Sequence, residues 1–158
     1  MFSFRGFSFG HSQVMKVLLI GAGVLLGASQ TQPGGVEAAL KAHQWKQRII
    51  LVYAADSTHG HWLKQREILK STAASLQARD LTVMEVVAGR LQGQPLTPAD
   101  QLYLKQQFGL GNQPFAVVLI EKDGGEKHRT QLPYSSTELL ARIDALPMRQ
   151  QEMRDKKD

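Results

Sequence analysis

Polar and apolar positions along this chain follow two periods, and each change of period marks an element. From Phe115 to Glu121 an unbroken β-branched and aliphatic run meets Lys122-Asp123-Gly124-Gly125. That pattern predicts a central strand turned back by a tight hairpin into a polar partner strand over Glu126–Leu132. Ile49–Ala55 and Leu81–Val87 are two further runs of strand length, apolar enough to be covered on both faces. Between them Trp62, Leu69, Ala73 and Leu76 recur at helical spacing, predicting one long helix capped by Asp56, Ser57 or Thr58. Val36, Leu40, His43 and Trp45 predict a short amphipathic helix over Val36–Lys46, with both Trp45 and Trp62 packed against the body. Ala88–Leu96, with two glycines and a proline, reads as a loop. Thr97-Pro98-Ala99-Asp100 then supplies a cap, a first-turn proline and an acid at the third helical position, for a helix that runs through Phe108 and stops at Gly109. Ser135 and Glu138 form a capping-box pattern ahead of the stripe Leu139, Leu140, Ile143 and Leu146. The chain closes on a charged tail expected to fray beyond Met153.

Strand, helix, strand at this spacing makes a parallel βαβ unit. The 158 residues suffice for one domain with one core. The organisation read from the chain is a leader over 1–29, a linker over 30–35, a domain over 36–147 and a charged helix end or tail over 148–158. The leader follows from Met15–Ser29, where Lys16 precedes a short apolar run and Gly27-Ala28-Ser29 offers a small-residue cleavage site. The start of translation is either Met1 or Met15. This layout places the protein in the periplasm or outside the cell, touching a membrane only through an uncleaved leader.

Two compositional facts narrow the function. The formal charge of +5 is scattered, with no basic stripe and no groove-reading element, so nucleic acid is not an expected partner. There is no cysteine. Thiol–disulfide exchange and thiol peroxidase chemistry both need a thiolate, and neither is open to this chain. Any metal has to sit on imidazole and carboxylate.

The order strand, helix, strand, helix, proline, hairpin, helix resembles a thioredoxin-like domain, an α/β fold with a central mixed sheet of about four strands flanked by helices. Phe108–Pro114 leading into the apolar strand and Lys122-Asp123-Gly124-Gly125 is similar to the segment of that fold that holds its cis-proline and hairpin, and Ile50–Ala54 is similar to the strand before its redox motif. His59-Gly60-His61-Trp62 falls where the two-cysteine motif would stand. A narrower resemblance rests on Trp45-Lys46-Gln47-Arg48, on Leu119–Gly124 and on Ile143–Arg154. On these the chain is similar to the bacterial family called domain of unknown function 4174, related to domains in some secreted animal matrix proteins. The resemblance implies an exported thioredoxin-like domain with no established reaction.

Three candidate sites follow. His59 and His61 are two imidazoles separated by one residue at a helix start, near Lys64 and Arg66, suited to a small anion or, with further ligands, a metal. Read more plainly, they are solvated loop residues. His59, Gly60, His61, Trp62 and Pro114 form a candidate groove for an extended peptide, and Pro114 alternatively just starts a strand. Met148, Arg149, Glu152, Met153 and Arg154 form a candidate partner motif, or a solvated helix end with Arg149 and Glu152 paired at i, i+3. No residue is placed as a catalytic group and no cofactor is expected. The leading expectation is a non-catalytic binding module for a protein or peptide, and the alternative is an imidazole-based enzyme or metal-binding protein.

Overall fold

The computed structural model describes residues 35–156. The leader and all of the linker except Gly35 lie outside the described residues. Among those described, no helix is long and apolar enough to cross a membrane. The elements in order are α1 (Gly35–His43), β1 (Arg48–Ala54), α2 (Gly60–Ser71), α3 (Ala73–Gln77), β2 (Leu81–Val87), β3 (Arg90–Leu91), β4 (Gln94–Pro95), α4 (Pro98–Phe108), β5 (Phe115–Ile120), β6 (Glu126–Thr130), α5 (Ser136–Asp144) and α6 (Pro147–Asp155).

These strands form one mixed sheet in the order β4-β3-β2-β1-β5-β6. β1 runs parallel to β2 with Arg48 opposite Leu81, and antiparallel to β5 with Ala54 opposite Phe115. The two central strands explain the unbroken apolar runs, because each face of the sheet has its own helical cover. Ile50, Val52, Phe115, Val117 and Leu119 meet Trp62, Leu69, Leu76, Leu139 and Ile143 on one face. Ile49, Leu51, Ala116, Val118 and Ile120 meet Val36, Leu104, Phe108 and Leu110 on the other. β2 is only partly covered, since β3 pairs with it at Val86 and Val87 alone.

Six strands stand where about four were expected. The two additions are two-residue strands within Ala88–Leu96, too short to show a period, and Ala88, Gly89, Gln92 and Gly93 turn them with positive φ. The expected single helix from Trp62 is two, because Thr72 leaves the helical region at φ −101°, ψ 0° while its hydroxyl donates to the Ile68 carbonyl at 2.7 Å. Trp62, Leu69 and Leu76 keep the shared face, and Ala73 is exposed.

The caps divide similarly. Thr97 and Asp100 form the full reciprocal box. Ser135 accepts from the Glu138 N–H, but the Glu138 carboxylate pairs with Arg142 at 3.2 Å and leaves the box half made. None of Asp56, Ser57 and Thr58 caps α2; the N-cap is His59, and Asp56 instead accepts from the Thr58 N–H at 2.7 Å. Trp45 departs furthest from expectation. The first helix ends at His43, Trp45 turns through φ 65° to donate its N–H to the Lys122 carbonyl at 2.6 Å, and the indole is 67% exposed instead of packed. The expected fraying tail is helical through Asp155, started by Pro147 at its first position.

Candidate functional site

β1 ends at Ala54, and three segments gather beyond it. The Ala55 N–H donates to the Pro114 carbonyl at 2.9 Å, fixing the start of β5 beside the loop that leads into α2. Phe115, 1% exposed, then points into the core beneath the two histidines. The His59 ring stacks over it, centroids 5.9 Å apart and planes 5° from parallel, while His61 meets it edge-on at 5.6 Å. The two imidazoles lie 5.2 Å apart, nearly perpendicular. His59 and His61 are thus brought together over Phe115, whose neighbour Pro114 is tied to Ala55 where the loop begins.

Trp62 of the same motif turns away into the core and carries Arg66 over its ring at 5.9 Å. A third segment joins from β6. The pairing of Thr130 with Val117 brings the next residues, Gln131 and Leu132, level with Phe115. The Tyr134 N–H donates to the Oε1 of fully buried Gln65 on α2 at 2.8 Å, pinning this segment to the helix. Leu132 stands 63% exposed and Leu63 47% exposed on this end of the molecule.

The electrostatics here are quiet. α2 has no side-chain cap, so its first turn donates no hydrogen bond to the His59 side chain. His59 Nδ1 is buried with no hydrogen-bond partner among the described residues. Asp56 is held below the usual carboxylate range by the Thr58 N–H and hydroxyl. Among the described residues, no three His, Asp or Glu side chains cluster as metal ligands would. The residues gathered are suited to contact and hydrogen bonding, with no placed nucleophile or oriented general base.

The partner-motif residues lie at the opposite end of the sheet, in an ion cluster whose pairings sequence reasoning had not joined. Arg48 is fully buried at the start of β1, with its Nε 2.7 Å from Glu121 just past β5. Its guanidinium donates bidentately to Glu152 of α6 at 2.9 and 3.2 Å and to the Arg79 carbonyl at 2.9 Å. Lys122 bridges Glu152 at 2.7 Å and Asp80 at 2.9 Å, and Arg79 grips Asp144 at 2.7 Å. Burial pushes the Glu152 carboxyl up, but Arg48 and Lys122 pull it further down, to about 2. Arg149 reaches Asp144 and, weakly, Glu152 at 3.4 Å, so the expected i, i+3 pair is the least of Glu152's bonds. Met148 and Met153 are half-buried and Arg154 is exposed. The signal that could have found this cluster is a basic residue opening one apolar run and an acid closing another: antiparallel pairing of the two strands puts both at one edge.

The family described as Domain of unknown function (DUF4174) matches residues 39–152. The chain is 29% identical over 114 residues to Sushi repeat-containing protein SRPX2 of Rattus norvegicus, covering 68% of this chain and 24% of that protein. It is 27% identical over 119 residues to the Homo sapiens protein of the same name, covering 72% and 26%. The chain therefore spans about a quarter of the length of these curated relatives. In fold it is similar to thioredoxin peroxidase I of Plasmodium yoelii, with TM-score 0.53, 19% identity and coverage of 71% of this chain and 79% of that one. The reduced 2-Cys peroxiredoxin of Plasmodium vivax gives TM-score 0.53, 15% identity and coverage of 71% and 84%. These likenesses establish the thioredoxin-like fold.

Proposed function

We propose that this chain, which belongs to the family described as Domain of unknown function (DUF4174), is an exported, non-redox recognition module that binds an extended polypeptide across the sheet end carrying His59, Gly60, His61, Leu63, Pro114 and Leu132. One observation carries the reading. The loop that stands at the working position of this fold holds no thiol, and its two imidazoles pack on Phe115 beside exposed Pro114 and Leu132. Such a surface offers apolar contact and imidazole hydrogen-bonding groups, the ingredients by which an extended peptide is held. Export is supported by the Met15–Ser29 layout.

A second reading has one specific observation in its favour. Two imidazoles 5.2 Å apart, one with an unpartnered buried Nδ1, could share a metal with ligands supplied from outside the chain.

One experiment separates the two. The domain is panned against a displayed library of random peptides, and the enriched peptides are assayed against a variant with His61→Asp and Leu132→Asp. The recognition reading expects affinity to fall at least about tenfold in that variant, a difference of about 1.4 kcal/mol. A library that yields no enriched sequence overturns it. Stoichiometric zinc or copper uptake abolished by His59→Ala with His61→Ala moves the assignment to the second reading.

A further inference from the structure

β1 and β2 run parallel and end together, Ala54 opposite Val87, with the Ala88 N–H donating to the Ala54 carbonyl at 2.9 Å. A crevice of about 390 Å³ opens at these carboxyl ends, between the loop after β1, α2 and the turns that follow β2. The carboxyl ends of parallel strands are where open α/β sheets take their ligands. Ser57, Trp62, Arg66, Glu85, Val87 and Arg90 line it. The crevice continues the His59 surface. Ser57 stands two residues before His59, at most about 7 Å of extended chain. Leu63 of that surface donates its N–H to the His59 carbonyl at 3.1 Å and lies one helical turn from Arg66.

Its arginines are set apart from most others in the domain. Among the described residues Arg48, Arg79, Arg129, Arg142 and Arg149 are all held in ion pairs, and Arg66, Arg90 and Arg154 are not. Two of those three line this one crevice. Arg66 is exposed and lies over the Trp62 ring at 5.9 Å, which fixes the plane of the guanidinium and leaves its N–H edge uncommitted. Arg90 is exposed and gives one bond to the Gly93 carbonyl at 3.1 Å. Glu85 shares its face of β2 with Val83 and Val87 and pairs with neither arginine. Two guanidiniums against that one carboxylate leave the lining with a single positive charge.

We propose that the polypeptide taken up by the His59 surface places a carboxylate in this crevice, between Arg66 and Arg90, so that the recognised segment is acidic. The inference rests on the recognition reading above and names the chemistry its partner carries. Arg66 and Arg90 supply forked N–H donors and Ser57 a hydroxyl, the set that a carboxylate accepts from. One carboxylate brings the lining to neutrality, whereas a phosphate of nearly two charges would leave it negative beside Glu85. The carboxylate comes from an Asp or Glu side chain or from the C-terminus of the bound chain.

The test pans random peptides, displayed with free C-termini, on the whole chain. Enriched peptides should carry Asp or Glu at one fixed position or require the free C-terminus. Asp→Asn or Glu→Gln in the peptide, or amidation of its end, should raise the Kd at least about tenfold and so tell the two sources apart. Arg66→Gln with Arg90→Gln in the protein should raise it by a similar factor for the acidic peptide and by less than about twofold for its amide form. Binding of the acidic peptide should weaken between about 50 and 500 mM NaCl. Enriched peptides that lack an acid and bind the arginine variant unchanged, while still losing affinity to His61→Asp with Leu132→Asp, overturn this inference and leave the recognition reading standing. A library with no enriched sequence removes both. Inorganic phosphate that displaces the peptide at lower concentration than acetate does also overturns the assignment to a carboxylate.

Discussion

The two ends of β1 and β5 anchor their surroundings by different physics. At the Ala54–Phe115 end a buried phenyl ring is roofed by two imidazoles, with exposed leucines and a proline around it. At the Arg48–Glu121 end a fully buried guanidinium is clasped by two carboxylates, one of them delivered by the last helix. All three strings that carry the family resemblance reach this second end: Arg48 from the first, Glu121 and Lys122 from the second, Asp144, Arg149 and Glu152 from the third. The difference teaches that the strings behind the family resemblance converge where the C-terminal helix locks on, away from the loop that would carry thiol chemistry.

Removing either anchor tests the contrast most severely. Arg48→Ala strands the buried Glu121 carboxylate and frees Glu152, and should cost about 3–5 kcal/mol in urea unfolding. Phe115→Ala should cost a similar amount, about 3–5 kcal/mol, through the cavity it leaves. The two losses separate on acidification, since the first shrinks as Glu152 protonates and the second does not.

A finer probe is Glu152→Gln. The carboxyl titrates at about 2 when folded against an ordinary 4.5. A depressed folded pKa contributes stability that is present in full above the unfolded value and is lost as pH falls through the folded one. Wild type should therefore lose on the order of 2–3 kcal/mol relative to the variant between about pH 5 and pH 2, read as the difference between two pH–stability curves. Amide exchange across Pro147–Asp155 should quicken in the variant at neutral pH. Thr97→Ala, remote from both ends, gives the scale for an ordinary cap and should cost about 1 kcal/mol. The smallest stability effect is expected from His59→Ala with His61→Ala, under about 1 kcal/mol because both rings are only half-buried, while peptide affinity falls sharply.

Much of the fold is legible in the residues because period and punctuation agree there. Leu81–Val87 is a strand over the same residues that its apolar run predicts, Thr97 and Asp100 make their box, and Gly124 turns the hairpin at φ 84° as a glycine there can. What stays hidden depends on tertiary partners. Thr72 breaks a helix by bonding backward to Ile68, a choice its helical neighbours do not disclose. Trp45 adopts a left-handed turn because its N–H meets Lys122 across 77 positions of chain. At the site, the juxtaposition of His59, His61 and Pro114 follows from the strand order, but Phe115 beneath them and Leu132 beside them emerge only once β5 and β6 are in register. Arg48, Glu121 and Glu152 were each visible as charges, and only their shared edge makes them a cluster.

The division between the two ends is tested most directly by mapping amide shifts of the whole chain as an enriched peptide is titrated in. The account predicts that the shifts gather at residues 57–63, 114–116 and 131–134 and leave Glu121–Glu126 and Pro147–Asp155 where they were. Shifts centred instead on the Arg48, Glu121 and Glu152 cluster would contradict it and assign recognition to the end described here as a lock.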